Sequence, residues 1–152
     1  QDRARWDGSL VARGLAHLGA SAGGEHWTRW HLEAGIAFEH ARAPSVAATD
    51  WPRILAYYDA LAAIAPGPVV ALNRGLALAE VHGIARGRAA LVALADEPKL
   101  ATYSFYWAAR ADLERRDGRY SAARGFYDRA IALAQSRAER VSYERRLAAM
   151  AE

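Results

Sequence analysis

Six polar side chains set in otherwise apolar stretches are the residues best placed to do chemistry: Asn73, Arg74, Glu80, Arg110, Asp112 and Arg115. Asn73, Ala77 and Glu80 are spaced to share one face of a helix, and so are Ala108, Asp112 and Arg115. An amide or carboxylate on such a face can hold the backbone or a basic side chain of a bound polypeptide. Arginine beside it can grip a carboxylate through two parallel hydrogen bonds. That is binding chemistry. The competing use of the same groups is to bond each other and buried helix ends, because polar groups inside a fold need partners whatever the function.

Reaction chemistry has little to work with. His26 and His31 are five positions apart and diverge around a helix, and no H-E-x-x-H occurs. The remaining histidines, His17, His40 and His82, are scattered, so all five read as surface or satisfied core side chains. The chain has no Cys, which excludes disulfides, thiolate zinc sites and a cysteine nucleophile. Gly23-Gly24 reads as a turn, not a phosphate-cradling loop, and no serine lies in a G-x-S-x-G elbow. Acidic residues fall at helix starts or beside arginines, where capping and ion pairing account for them. The expectation is a protein that is not an enzyme, with no catalytic residue, metal or cofactor.

The elements that would position these groups are helices. Of 152 residues, 53% are apolar, and Ala, Leu and Arg dominate over β-branched types. A first helix is expected at about residues 5–18, with Trp6, Leu10, Gly14 and Leu18 on one stripe and a break at residues 19–24. A second, at about 26–41, places Trp27, Trp30, Ala34, Ala37, Phe38 and Ala41 on one face. The tryptophans read as core anchors, with an interaction patch at Trp27 or Trp30 as the alternative. Thr49 or Asp50 caps a third helix, Pro52 sits in its first turn, and Pro66-Gly67-Pro68 stops it. A nearly all-apolar helix at about 69–81 ends at Gly83, and a short one covers about 85–94. A long helix at about 99–116 ends at Asp117-Gly118, another spans about 120–134, and Ser136 with Glu139 opens the last.

Gly83 and Gly118 each close one helix and open the next, and they lie 35 positions apart. That is close to the roughly 34-residue tetratricopeptide period. Trp107, Ala111, Gly118, Tyr120, Ala123, Tyr127 and Ala130 fit the pattern of one such unit. The predicted fold is therefore all-α: about eight helices in antiparallel hairpins, stacked as a tetratricopeptide-like right-handed array. Its groove would be lined by the first helix of each pair. One domain is expected over 1–152, divided into an N-terminal helix pair (1–50), repeat units (51–135) and a terminal helix (136–152). The net charge of +3 carries no nucleic-acid signature, because Asp112, Glu114, Asp117 and Asp128 interrupt the most basic stretch. No apolar run approaches the roughly 20 residues of a membrane span, and the N-terminus lacks an apolar signal region, so a cytoplasmic location is expected.

Several stretches, taken in order, resemble one family. They are Asp2-Arg3-Ala4-Arg5-Trp6-Asp7, Thr49-Asp50-Trp51 with Tyr58-Asp59-Ala60-Leu61, and Pro68-Val69-Val70-Ala71-Leu72-Asn73-Arg74 through Ala79-Glu80. Ala108-Ala109-Arg110-Ala111-Asp112-Leu113 through Gly118-Arg119 and Ala138-Glu139-Arg140 with Arg145-Arg146-Leu147 continue the series. Together they are similar to the C-terminal helical extension of a group of extracytoplasmic-function RNA polymerase sigma factors. The resemblance implies two upstream DNA- and polymerase-binding regions that lie outside this chain. It also implies a regulatory domain whose partner is a protein: the sigma core, RNA polymerase or another regulator. DNA would be met only through the upstream regions. The alternatives are a free-standing tetratricopeptide-like adaptor and, further off, a small ligand-binding or hydrolytic domain.

Overall fold

A computed structural model describes residues 7–21 and 27–150 of the chain. The expectations for Trp6, the Gly23-Gly24 turn and His26 lie outside the described residues. Among the described residues all regular structure is helical, in nine helices. No helix among them is long and apolar enough to cross a membrane. The chain forms two compact units, Gln1–Val70 and Ala71–Glu152.

The first unit holds α1 (Gly8–Ser21), α2 (Arg29–Arg42) and α3 (Trp51–Ile64). The helix α1 continues past Gly19, where the sequence suggested a break, and packs on α2. The start of α3 is the expected one: Asp50 Oδ1 accepts from Arg53 N at 3.0 Å, and Pro52 occupies the first turn, where its missing N–H is harmless. Ile54, Leu55 and Leu61 are buried along α3, while Ile64 at its far end is exposed. The face of α2 is a correction. Trp27 and Trp30 are exposed, and Leu32, Gly35, Ile36 and Glu39 point inward instead. Close approach decides this. The Tyr57 ring of α3 lies across Gly35, where a Cβ would sit 3.0 Å from Tyr57 Cζ. Trp27 meets the same Tyr57 ring at a tilt, 5.7 Å between ring centres, and stays largely exposed.

The second unit contains α4 (Pro68–His82) from Ala71 onward, α5 (Ile84–Val92), α6 (Pro98–Ala101), α7 (Ser104–Arg116), α8 (Tyr120–Leu133) and α9 (Arg137–Ala148). Gly83 and Gly118, the repeat markers, both adopt positive φ, at 92° and 75°, which a side-chain-bearing residue resists. At the α4–α5 crossing, Gly87 lies against Ala79, and its absent Cβ would come within 2.9 Å of Gly75 O. The long helix expected at 99–116 is two helices. The indole Nε1 of Trp107 donates to Ala101 O at 3.0 Å, which takes up a carbonyl at the end of α6 and turns the chain through Thr102 and Tyr103. Ser136 caps α9 through Glu139 N at 3.2 Å, but the Glu139 carboxylate reaches back to Gln135 N, not to the cap residue's own N–H.

The helix α7 sits at the centre of this unit. Tyr106, Ala109 and Leu113 face a core with Leu72, Ala79, Leu91 and Leu100. Ala108 and Ala111 face a second core with Tyr127, Ala130 and Tyr143. Two buried faces explain why α7 is so rich in alanine, since small side chains let both neighbours come close. They also leave only narrow arcs for its polar residues.

Candidate protein-binding surface

The polar arcs of α7 hold three of the six predicted site residues. Asp112 Oδ1 accepts from Arg115 Nη2 at 2.8 Å, one turn along the helix. That hydrogen bond, followed by the charge of Asp112, raises the Arg115 guanidinium above its ordinary value against the lowering effect of burial. Tyr127 of α8 lies beside this pair with its ring fully buried and its hydroxyl without a well-formed hydrogen bond. Burial pushes the phenol's pKa up, the Asp112 charge adds to the rise, and Arg146 of α9 and Arg115 oppose it. The pair is thus a helix-surface ion pair over a buried aromatic.

Arg110 goes elsewhere. Its guanidinium carbon lies 4.2 Å from the Phe126 ring centre, 5.7 Å from Trp107 and 5.8 Å from Tyr106. Nη1 makes a long contact of 3.4 Å to Tyr106 Oη. Arg129 of α8 stands 4.5 Å over the same Trp107 ring. The aromatic platform is fixed from beneath: Tyr106 Oη donates to Leu91 O at 3.0 Å, Trp107 packs edge-on to Tyr106 at 5.1 Å, and Phe126 tilts against Trp107 at 5.9 Å. Two arginines and the half-buried Trp107 and Phe126 rings therefore form one surface across the α7–α8 hairpin, with the buried Tyr106 beneath it.

Glu80 of α4 is paired with Arg116 of α7 through two bonds, 2.6 and 3.1 Å long. Asn73 and Arg74 are half-buried along α4. On the face through Asn73, Ala77 and Glu80 the central Ala77 is buried, and on the face through Ala108, Asp112 and Arg115 the leading Ala108 is buried, both 1% exposed, while the polar members of each face are half-buried. Glu80 and Asp112 are engaged by neighbouring arginines, while Arg110 joins the aromatic surface.

Reading the sequence for polar residues alone missed Arg129, Phe126 and Arg116. The signal for the first two is present: Trp107 with Arg110 and Phe126 with Arg129 are both aromatic–arginine pairs at i, i+3. A second ionic cluster was also missed. Arg88 of α5 reaches Glu114 Oε1 at 3.1 Å and Asp117 Oδ2 at 2.8 Å, and Arg119 lies 2.9 Å from Asp117. Among the described residues no three His, Asp or Glu side chains converge as a metal site. His31 instead contacts Thr28 Oγ1 at 2.9 Å at the start of α2, and His40 packs edge-on to Trp51.

No protein-family profile matches the chain, and no solved structure matches it. It is 34% identical over 139 residues to an uncharacterized protein of Rhizobium meliloti (strain 1021), an alignment covering 91% of this chain and 32% of that protein. The chain thus spans about a third of the relative's length.

Proposed function

We propose that this chain is a helical-repeat domain that regulates transcription initiation by binding protein, acting in the cytoplasm as the C-terminal extension of a sigma factor. The observation that carries the binding half of this reading is the α7–α8 surface, where Arg110 and Arg129 lie on Trp107 and Phe126. Arginine and aromatic side chains held together are the composition that dominates the energetics of protein interfaces. The sigma half rests on the ordered resemblance described above. A relative about three times as long agrees with a domain that works attached to other regions. In this reading the hairpins stack as a tetratricopeptide-like right-handed array, and the partner is the sigma core, polymerase or a further regulator.

Deleting residues 1–152 from the intact protein should change promoter-dependent transcription in a reconstituted assay. The isolated chain should show no salt-sensitive affinity for promoter DNA. Transcription unaltered by the deletion would overturn the proposal.

A further inference from the structure

We infer that Arg110 and Arg129 form a two-cation site on Trp107 that receives an acidic segment of a partner protein, with Asp or Glu next to an apolar side chain. The inference deepens the protein-binding reading above and rests on it. Its first support is charge. Among the described residues neither guanidinium has a carboxylate partner, unlike Arg88, Arg115, Arg116 and Arg119 of the same unit. Arg86, Arg124 and the four arginines of α9 also lack one, but of these arginines only Arg110 and Arg129 lie over aromatic rings. Its second is geometry. The guanidinium carbons lie 4.2 Å from the Phe126 ring centre for Arg110 and 4.5 Å from the Trp107 ring centre for Arg129, and such a contact with a ring occupies none of the N–H donors. Only one such donor is occupied, by the long contact from Arg110 to Tyr106 Oη. Arg129 is exposed, and Arg110 is half-buried. Both cations are held over one indole that the Ala101 carbonyl locks in place, so little side-chain freedom remains to be lost on binding.

The partner's chemistry follows from what surrounds the pair. The Phe126 ring centre lies 4.2 Å from the Arg110 guanidinium carbon, and the half-buried Phe126 and Trp107 rings pack together. An apolar side chain flanking the carboxylate has rings to rest on. A polyanionic nucleic-acid backbone fits less well. Asp112, Glu114 and Asp117 on α7 and its turn, with Asp128 adjoining Arg129, break the positive field within one or two helical turns. Isolated carboxylates suit that pattern, and a continuous row of phosphates does not.

The test uses the whole chain and a labelled pool of short acetylated peptides in which Asp or Glu alternates with Leu or Phe. Its controls are the same pool with Asn and Gln in place of the acids, and a thymidine oligonucleotide. The acidic pool should bind about tenfold more tightly than its amide twin. Arg129→Gln, at an exposed position, should abolish that preference without altering the circular dichroism spectrum. Arg110→Lys, which keeps the charge and loses the planar fork, should weaken it severalfold. Arginine Nε–Hε resonances of both residues should shift on titration with the acidic pool only. Equal binding of acidic and amide pools, an unaffected Arg129→Gln, or tighter binding of the oligonucleotide than of the peptides would overturn the assignment. If the pool fails to bind while deletion of the domain still alters transcription, the two-cation site falls and the regulatory reading stands. If binding is as expected and the deletion is silent, the reverse holds.

Discussion

Glu39 is 1% exposed on the inward face of α2, a position where a carboxylate survives only with partners. It has two: Arg42 one turn on, and Arg53 of α3, whose Nε lies 3.3 Å from Oε1. The three groups are not alike. The arginine side chains are 45% and 59% exposed and can return to water, whereas the carboxylate cannot. Breaking the cluster from its two ends should therefore differ. Glu39→Gln keeps the shape and much of the hydrogen bonding and should cost about 1–2 kcal/mol. Arg42→Ala with Arg53→Ala strands a buried anion and should cost more than the Glu39→Gln change. Urea unfolding followed by circular dichroism would compare them, and equal losses would show that the carboxylate is not the costly member. This charge also explains why the inward face of α2 was hard to read. A stripe of Leu32, Gly35, Ile36 and Glu39 has a glycine and a charge in it, while the exposed tryptophans offered a more apolar alternative. Burial there is set by how close α3 can come, which depends on a partner element the stripe itself does not contain.

Between elements, closeness is again the deciding quantity, and the α4–α5 hairpin is its sharpest case. A Cβ on Gly87 would overlap that of Ala79 and stand 2.9 Å from two backbone atoms, Ala79 Cα and Gly75 O. A Cβ on Gly75 would meet chiefly the Leu91 side-chain tip, which can rotate away. Gly87→Ala should thus destabilise by about 3 kcal/mol and Gly75→Ala by about 1, measured by thermal or denaturant unfolding, with the order of the two as the test. A glycine inside a helix is legible as a sign of close approach, but which helix approaches is not. Helix ends were the most legible part of this fold. Asp50 with Pro52, Pro66-Gly67-Pro68, Gly83, Gly118 and Ser136 each act within one turn of themselves. The break at Thr102 and Tyr103 was not legible, because it depends on Trp107 reaching back to the Ala101 carbonyl across the turn. The candidate surface was half legible for the same reason. Arg110 stood out as a cation in an apolar run, but its aromatic partner Phe126 and companion Arg129 come from the facing helix.

Across the whole molecule the cations are almost all of one kind: of 20 basic residues only Lys99 is not arginine, and there is no cysteine. Arginine keeps its proton throughout the alkaline range, so the groups that change charge there are the seven tyrosines and one lysine. Two tyrosines, one in each unit, have phenols shifted upward. Burial raises Tyr58, assisted by the charge of Glu33, and burial raises Tyr127, assisted by Asp112. In both, the native state favours the neutral phenol more than the unfolded chain does. Their contribution to stability is therefore complete below the ordinary tyrosine value of about 10 and is lost as pH rises from there through the folded-state value. The melting temperature should hold steady from about pH 7 to 9 and fall beyond about pH 10. Tyr58→Phe with Tyr127→Phe should flatten that fall. The Tyr127 hydroxyl makes no well-formed hydrogen bond, only a loose interaction with Arg115, so its replacement should change stability at neutral pH little. Circular dichroism melts across this range would decide the matter: an alkaline decline that survives in the double variant would place its origin in groups other than these two phenols.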